Sequence, residues 1–256
     1  MIDMVLEFGI GTIVGLLLWS LAWLLPLRRF MSGPEFRWDI LSAVWVILST
    51  ALAIVILDPM TDWLSTWIST MTGRWYELVL TFPSWLVVAV YIVGADFGAY
   101  WAHRALHTPL LWSTHAWHHA SRNLYWLSGL RASPVHVFVL SAPYFFVFML
   151  FPLPEAAAVV VTVAVLDAGN QHLIHSNIRV PFARQLERIF VTPRYHFVHH
   201  NERIKTANSN YGFIFSIWDR LFGTYTNPDT VPSDDPLGLG YETNYWRLML
   251  GLPQKR

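Results

Sequence analysis

The sequence predicts an all-α protein, an integral membrane helical bundle of about four to five spans with a cytoplasmic, histidine-rich helical cap that holds a dinuclear metal site. Two observations carry this prediction. Charged residues make up only 13% of the 256 residues, against about 25% in soluble domains, and apolar runs long enough to cross a bilayer explain the deficit. In addition, ten of the eleven histidines fall into four short groups close to those runs.

Five apolar runs are candidate membrane spans, namely residues 8–27, 38–57, 84–101, 134–153 and 155–168. Only a few residues separate the last two, which predicts a tight or re-entrant hairpin. Tryptophans near the ends of the runs fit the interfacial aromatic belt of membrane proteins. The N-terminal segment carries Asp3 and Glu7 where a secretory signal has basic residues, so we do not expect a cleaved signal.

Residues 60–79 show a different pattern. Apolar side chains recur at intervals of three and four residues, beginning with Met60, Trp63 and Leu64, and serine and threonine lie between them. This spacing predicts an amphipathic helix, which either lies in the external membrane interface or packs against the bundle. We assign no chemistry to it.

The placement of charge predicts the orientation of the chain. The loop 28–37 holds Arg28, Arg29 and Arg37 against Glu35, so the positive-inside rule places it in the cytoplasm. Following the five runs through the membrane then brings all four histidine groups to the cytoplasmic side. We expect a multi-pass protein of a bacterial inner membrane with three parts: spans and amphipathic helix over 1–83, a histidine-box domain over 84–226, and a tail over 227–256.

The four histidine groups predict a metal site. They have the spacings HxxxH, HxxHH, HxxH and HxxHH and comprise His103/His107, His115/His118/His119, His172/His175 and His196/His199/His200. Helix positions three and four residues apart share a face, so each group is expected to aim its imidazoles at a common point. Imidazole suits iron, copper, nickel and zinc better than calcium or magnesium. Ten imidazoles exceed the six positions of one octahedral metal, whereas two metals would take about five each and keep one position for water, oxygen or substrate.

Prolines predict the borders of two helices that carry these histidines. Thr108 precedes a proline and therefore disfavours helix, so His107 is expected at a helix end. Thr192-Pro193 offers an N-cap residue followed by proline at the first helical position. The last histidine group would then occupy the first two turns of a new helix.

Two carboxylates and one further histidine accompany the groups. Asp96 shares a helix face with His103, and Asp167 shares one with His175. A carboxylate in or near a span needs a partner, and accepting the second N–H of a metal-bound imidazole is a suitable role for both. A polar residue without function is the alternative for Asp96. His136, alone in the fourth run, is either a packed histidine or an additional ligand.

The composition excludes several other kinds of site. The chain has no cysteine, which excludes disulfides, thiolate zinc sites and cysteine-ligated iron–sulfur clusters. Its net charge is zero, and we expect no nucleic-acid partner. One HxxxH pair is weak support for a metal, but ten grouped histidines are poorly explained as coincidental core residues.

The motifs resemble those of the fatty acid hydroxylase superfamily, also called the sterol desaturase family. The resemblance runs from about Asp96 to Tyr225 and is carried by these strings: YWAHRALH at 100–107, HAWHH at 115–119, HSN at 175–177, TPRYHFVHH at 192–200, SNYG at 209–212 and WDRLFGTY at 218–225. It implies a membrane-embedded dinuclear iron site that uses dioxygen to hydroxylate or desaturate lipids. It also implies nine histidine ligands, with His172 as a tenth. Many relatives have a histidine where this chain has Ser133.

The leading hypothesis is therefore a membrane-bound di-iron oxygenase acting on a sterol, fatty acyl chain, ether lipid or carotenoid. Asp96 and Asp167 are expected to orient the ligands. Because the chain has no haem-attachment or flavin motif, electrons are expected from a ferredoxin, a haem protein or a pterin. Imidazole sites also take zinc, so zinc can replace iron in the purified protein.

Three other hypotheses remain. A histidine-rich metal-binding or metal-transport protein is the main alternative, although transport favours ionisable residues strung through the bilayer midplane. A bis-histidine haem protein would need single histidines on facing spans. A zinc hydrolase is disfavoured because the sequence has no HExxH string.

Overall fold

The computed structural model of this protein describes residues 2–29, 35–72, 75–151 and 169–254. In these residues the chain is helical or irregular, with isolated β-bridges and no strand, which confirms the all-α prediction. The helices are α1 Ile2–Leu24, α2 Phe36–Thr72, α3 Trp75–Leu80, α4 Ser84–Leu106, α5 Trp112–His119, α6 Pro134–Leu150, α7 (described over 169–175), α8 Ala183–Leu186, α9 Pro193–His199, α10 Ile204–Ala207, α11 Ile217–Leu221 and α12 Tyr245–Met249.

Helix α6 packs against both α2 and α4 and joins them into one bundle. The approach to α4 is close because Gly98 lies against Pro143 of α6, where a Cβ atom on the glycine would be 2.7 Å from the proline Cβ. One turn earlier, Gly94 lies against Val147 in the same way. Small residues at such contacts let membrane helices approach each other closely.

We expect Gly98→Ala to destabilise the bundle, because the added methyl group would overlap the ring of Pro143. Overpacking of this kind costs about 1–3 kcal/mol. Thermal unfolding of the detergent-purified protein measures the effect. Gly9→Ala is the matched control, since a Cβ there would meet nothing within 4 Å. Equal unfolding midpoints for the two variants would contradict the close contact between α4 and α6.

Helix α2 differs from the prediction. The sequence pattern suggested a span that ends at residue 57 and a separate amphipathic helix over 60–79, but α2 continues through Pro59 to Thr72 and only the short α3 follows. A proline removes one backbone hydrogen bond and costs a helix about 3 kcal/mol, which the helical turns on both sides of it offset. At 37 residues, α2 is about 55 Å long and extends beyond a hydrocarbon core of about 30 Å.

The outer surface of the bundle is apolar. Two of the described helices, over Phe36–Ile68 and Ser84–Leu106, are long and apolar enough to cross a membrane, and shorter apolar segments lie at Gly9–Leu24 and Pro134–Leu150. Large apolar side chains on these helices are exposed, among them Leu17, Val55 and Trp85. An exposed apolar surface of this extent indicates contact with lipid, so the protein is a membrane protein. The fifth predicted run, 155–168, lies outside the described residues.

Several helix ends meet at one end of the bundle. The C-terminal end of α1 is held there by residues that follow α7: Pro26 pairs with Ile178, and the Asn177 side chain hydrogen-bonds to both the N–H and the carbonyl of Arg28. The last turn of α4 carries His103 to the same region. These contacts place the polar loops and the histidines together.

The N-terminal end of α6 and the tail complete this region. Ser133 caps α6 by accepting the N–H of His136, and its own hydroxyl donates to the carbonyl of Thr114 in α5. Leu248 and Met249 of α12 pack against α5. The tail is therefore packed directly on a helix that carries one of the histidine groups.

Candidate metal centre

The structure gathers nine of the ten predicted histidine ligands into two groups, and in each group the potential ligand atoms lie within 4.8 Å of one another. The five-histidine group comprises His103, His107, His115, His119 and His199, and the four-histidine group comprises His118, His175, His196 and His200. All are buried except His107, which is half-buried. The two groups adjoin, since the ring of His119 stacks on that of His200 with centroids 4.5 Å apart.

The HxxHH string of α5 serves both groups. His115 and His119 join the five-histidine group, whereas His118 joins the four-histidine group. The prediction that each string aims at one common point is therefore wrong here. With 3.6 residues per turn, the third and fourth positions after a given residue diverge by about 100° around the helix axis. A triad can thus face two neighbouring points.

The HxxHH string of α9 shows the opposite assignment. His196 and His200 join the four-histidine group, and His199 joins the five-histidine group. The predicted start of this helix is confirmed: the Thr192 side chain accepts the N–H of Tyr195, and proline occupies the first helical turn. The cap fixes where the helix begins, and it thereby sets the direction in which each of the three imidazoles projects.

The Nε2 atoms within each group approach one another closely. In the five-histidine group, Nε2 of His115 lies 3.1 Å from Nε2 of His103 and 3.2 Å from Nε2 of His119. In the four-histidine group, Nε2 of His175 lies 3.1 Å from Nε2 of His118 and 3.0 Å from Nε2 of His196. Each group therefore converges on one small volume.

Hydrogen bonding among the imidazoles does not account for this convergence. A neutral ring nitrogen either donates or accepts a single hydrogen bond, yet Nε2 of His115 and Nε2 of His175 each have two such neighbours. Two nitrogens bound at right angles to one metal, each at about 2.0–2.1 Å, would lie about 3 Å apart. The observed spacing therefore fits imidazoles arranged around a shared cation.

Backbone carbonyls determine which nitrogen of four rings is free. In each of them Nδ1 lies within hydrogen-bond distance of a carbonyl oxygen, which only accepts, so Nδ1 carries the proton and Nε2 presents its lone pair to the group. The pairs are His103 with Tyr211 at 2.8 Å, His118 with Arg131 at 3.2 Å, His175 with Gln171 at 2.7 Å and His199 with Ser209 at 2.8 Å. Such outer contacts are typical of metal-binding histidines.

Several ring nitrogens are buried without a hydrogen-bond partner among the described residues. In the five-histidine group these are Nε2 of His107 and Nε2 of His199. In the four-histidine group they are Nδ1 of His196 and Nδ1 of His200, whose Nε2 atoms contact each other at 3.1 Å. Buried polar atoms are normally paired. A cation in the five-histidine group would satisfy both unpaired Nε2 atoms there.

Burial keeps the imidazoles of α5 and α9 neutral. Desolvation, followed by the repulsion of neighbouring imidazoles, lowers the pKa of each of these six rings well below the usual value of 6.5; they are His115, His118, His119, His196, His199 and His200. The neutral ring is the form that binds a metal. A set of neutral imidazoles suits iron, zinc, copper or nickel, so the residues present fit the predicted metals.

A buried ion pair that sequence reasoning missed supports the four-histidine group. Arg131, whose carbonyl accepts the His118 proton, has a fully buried side chain. Its Nε lies 2.6 Å from Asp39 Oδ1 at the start of α2, and a second guanidinium nitrogen lies 2.9 Å from Glu35 Oε2. Its guanidinium also stacks on Trp117, 4.6 Å from the ring centroid. An acidic residue next to an apolar run was the one signal of this network in the sequence.

His136 is a partner of a ligand rather than a member of either group. Its Nδ1 lies 3.1 Å from Nδ1 of His115, and its side chain is buried. The sequence left open whether His136 is a packed histidine or an additional ligand. The structure favours a packed histidine, because the ring lies beside the five-histidine group and contacts one of its members.

His172 is not brought into either group. Its Nδ1 lies 3.4 Å from the carbonyl of Trp126, and its ring contacts the Trp126 indole with centroids 5.5 Å apart. The HxxH spacing with His175 favoured a ligand role for His172. In the structure, however, the His172 ring contacts Trp126, whereas the His175 ring contacts the other members of its group.

Asp96 is hydrogen-bonded to the segment around α11. Its carboxylate accepts the backbone N–H groups of Ile214 and Phe215 and the indole N–H of Trp218. It thus ties α4 to the segment that leads into α11. These contacts give no support to the prediction that Asp96 orients a ligand. Asp167 lies outside the described residues.

Fold and site together define a helical membrane protein with a candidate centre for two metals built from imidazoles. The sequence model of the fatty acid hydroxylase family matches residues 88–224, which is more than half of the chain. This chain belongs to the fatty acid hydroxylase family. The match contains all nine grouped histidines, whereas Asp39 and Glu35, which hold Arg131, precede it.

Curated relatives act on several lipids. The chain is 34% identical to the ornithine lipid hydroxylase of Rhizobium tropici over 60% of this chain and 46% of the relative. It is 33% identical to human alkylglycerol monooxygenase over 52% of this chain and 29% of the relative. It is 32% identical to a probable Delta(7)-sterol 5(6)-desaturase of Neurospora crassa over 61% of this chain and 41% of the relative. The chain thus spans less than half the length of each of these relatives. No solved structure matches it.

Proposed function

We propose that this protein is a membrane-bound di-iron oxygenase that hydroxylates or desaturates a lipid with dioxygen. The observation that carries the proposal is the pair of adjoining groups of five and four imidazoles, with Nε2 atoms 3.0–3.2 Å apart and neutral rings. The lipid hydroxylase, monooxygenase and desaturase among the relatives support a lipid as the substrate. Hydroxylation and desaturation need the same site.

Each histidine group would hold one iron ion, and the iron pair when bound would supply dioxygen activation and the oxidation of an unactivated C–H bond. The protein's own residues prepare the site for it. Carbonyls of Tyr211, Ser209 and Arg131 hold the protons on Nδ1, which leaves Nε2 free to bind. Burial excludes bulk water, and neutral rings avoid repulsion of a cation.

The surroundings of the site complete the proposal. The apolar outer surface would present lipid laterally from the membrane, and electrons would come from a ferredoxin, a haem protein or a pterin. We place the metal centre on the cytoplasmic side, in a histidine-box domain over 84–226, because Arg28 lies at the same end of the bundle as His103 and the arginine-rich loop is expected to face the cytoplasm. A bacterial inner membrane is the proposed location.

Purified protein is expected to contain about two metal ions per chain, iron or zinc. The two adjoining groups have no histidine in common, and each has enough imidazoles for one ion. Elemental analysis measures the content. The iron form, with a reduced ferredoxin and lipid extract, is expected to consume dioxygen and to yield an alcohol or alkene detected by mass spectrometry. The chelator-treated protein is the control.

Two results would count against this function. The iron form with two metals per chain and no lipid-dependent oxygen uptake with any of the three donor classes would contradict an oxygenase. Movement of zinc or iron into sealed vesicles that contain the protein, measured under the same conditions, would favour the metal-transport alternative instead.

A further inference from the structure

A cavity of about 240 Å³ lies between α1 and the loops beside the four-histidine group. One wall is the C-terminal part of α1, and the other is formed by two short segments, Tyr125-Trp126 and Ser176-Asn177. A cavity of roughly 150 Å³ lined by apolar side chains accommodates benzene, so this one has room for a segment of alkyl chain.

The apolar wall belongs to one face of α1. Leu18, Trp19, Ala22 and Trp23 line the cavity at helical spacing, followed by Pro26. Such a lining offers no hydrogen bonds to water over most of its length. A ligand suited to it is a hydrocarbon chain, because a polar ligand would lose its hydration without compensation.

Helix α1 is held at both ends of the cavity and spans it in between. At one end Gly15 lies against the Trp126 indole, where a Cβ on the glycine would be 2.2 Å from a ring carbon. At the other end Asn177 hydrogen-bonds to both backbone groups of Arg28, at 2.9 and 2.7 Å. The space is therefore fixed by contacts on both sides and is a feature of the folded protein.

Two arginines at the rim give the cavity a polar end. The Arg28 guanidinium already donates to the carbonyl of Asp235. Arg29 lines the cavity and is exposed, and the ion pairs found among the described residues do not include it. An apolar pocket with an exposed guanidinium at its rim is complementary to a hydrocarbon chain that carries a negative charge at one end.

The inner wall of the cavity adjoins the metal centre. Ser176 and Asn177 directly follow His175, a member of the four-histidine group. In the same wall, the Trp126 carbonyl and indole both contact His172, which lies one helical turn before His175. A chain held between α1 and these two segments would lie beside the four-histidine group.

We propose that this cavity binds the alkyl chain of an anionic membrane lipid, with the headgroup at Arg29 and the chain along the apolar face of α1, beside the segment that follows His175. This inference rests on the proposed function, because it names the class of lipid that would reach the metal centre for oxidation. It assigns a role to α1, which lies outside the segment matched by the family.

Photo-crosslinking tests the site without turnover. Detergent-purified protein in its zinc form is labelled with a fatty acid that carries a diazirine on its chain, and in parallel with the fatty alcohol of equal length. Mass spectrometry is expected to find both labels on α1 residues 18–26 or on the segment 125–126. The fatty acid is expected to label several-fold more strongly, and phosphatidylglycerol is expected to compete better than phosphatidylcholine.

Two variants and one control separate the chain from the charge. Ala22→Phe fills the cavity and is expected to reduce labelling by both probes. Arg29→Gln is expected to bring labelling by the fatty acid down to that by the alcohol. Arg188→Gln removes an exposed arginine elsewhere and is expected to change neither. Unfolding midpoints of all variants show whether each remains folded.

Labelling outside these segments, or labelling that Ala22→Phe leaves unchanged in a folded variant, would overturn the proposal. Equal labelling by acid and alcohol would overturn the anionic headgroup. These outcomes are distinct from a failure of the proposed function, since crosslinking needs no oxidation. Label in the cavity together with no oxygen uptake by the iron form would contradict the oxygenase function. Oxygen uptake by the iron form together with no label in the cavity would contradict the lipid site alone.

Discussion

His118→Ala and His119→Ala are expected to remove different metals, although the two residues are neighbours in the sequence. His118 belongs to the four-histidine group and His119 to the five-histidine group. Each variant should retain about one of two metals, because the other group keeps its ligands. Lipid oxidation should fall by more than about 100-fold in both, since even the loss of an outer contact to a ligand costs 10–100-fold.

Double variants provide the decisive comparison. His119→Ala with His199→Ala removes two members of the same group, so about one metal per chain should remain. His118→Ala with His119→Ala removes one member of each, and metal content should approach zero. His172→Ala, outside both groups, should keep two metals. If the His118/His119 double variant retained the same metal content as the His119/His199 variant, the division into two groups would be wrong.

Local signals in the sequence were sufficient for the parts of the fold that depend on local physics. The proline after Thr192 marks the start of α9, and the structure confirms it because an N-cap involves only neighbouring residues. The histidine spacing likewise identified nine residues that meet. The change of pattern after residue 57 was misleading, because α2 continues through Pro59 to Thr72 although its apolar run ends earlier.

The arrangement of the two groups was beyond sequence reasoning. Whether His118 faces the same point as His115 depends on where α7 and α9 dock against α5, and these are tertiary contacts. The sequence also gives no sign of the carbonyl oxygens that hold the imidazole protons. Carbonyls such as that of Tyr211 are backbone atoms common to all residues. Asp39 and Arg131 are 92 positions apart, and no local pattern joins them.

Arg131→Met is expected to destabilise the protein strongly and to weaken metal binding in the four-histidine group. The variant leaves the buried carboxylate of Asp39 without its arginine partner, and breaking a buried ion pair costs about 3–5 kcal/mol. The carbonyl of residue 131 holds the proton of His118, so freeing the backbone there should lower metal affinity by about 10–100-fold. Thermal unfolding and metal titration measure the two effects separately.

A matched control is Arg203→Met. Arg203 also pairs with a carboxylate, that of Asp235, but its side chain is 65% exposed, and exposed pairs contribute about 1 kcal/mol or less. A loss of stability as large as that of Arg131→Met would show that burial is not what makes the Asp39 pair important.

The double variant Asp39→Leu with Arg131→Met distinguishes charge from position. Replacing both members of a buried pair by apolar residues is often neutral or stabilising, so the unfolding midpoint should recover relative to Arg131→Met. Metal affinity in the four-histidine group should stay low, because no side-chain bond from residue 131 to α2 then fixes the carbonyl that meets His118. Recovery of both properties would show that the ion pair only balances charge. Recovery of stability alone would show that α2 positions a ligand through the backbone of Arg131.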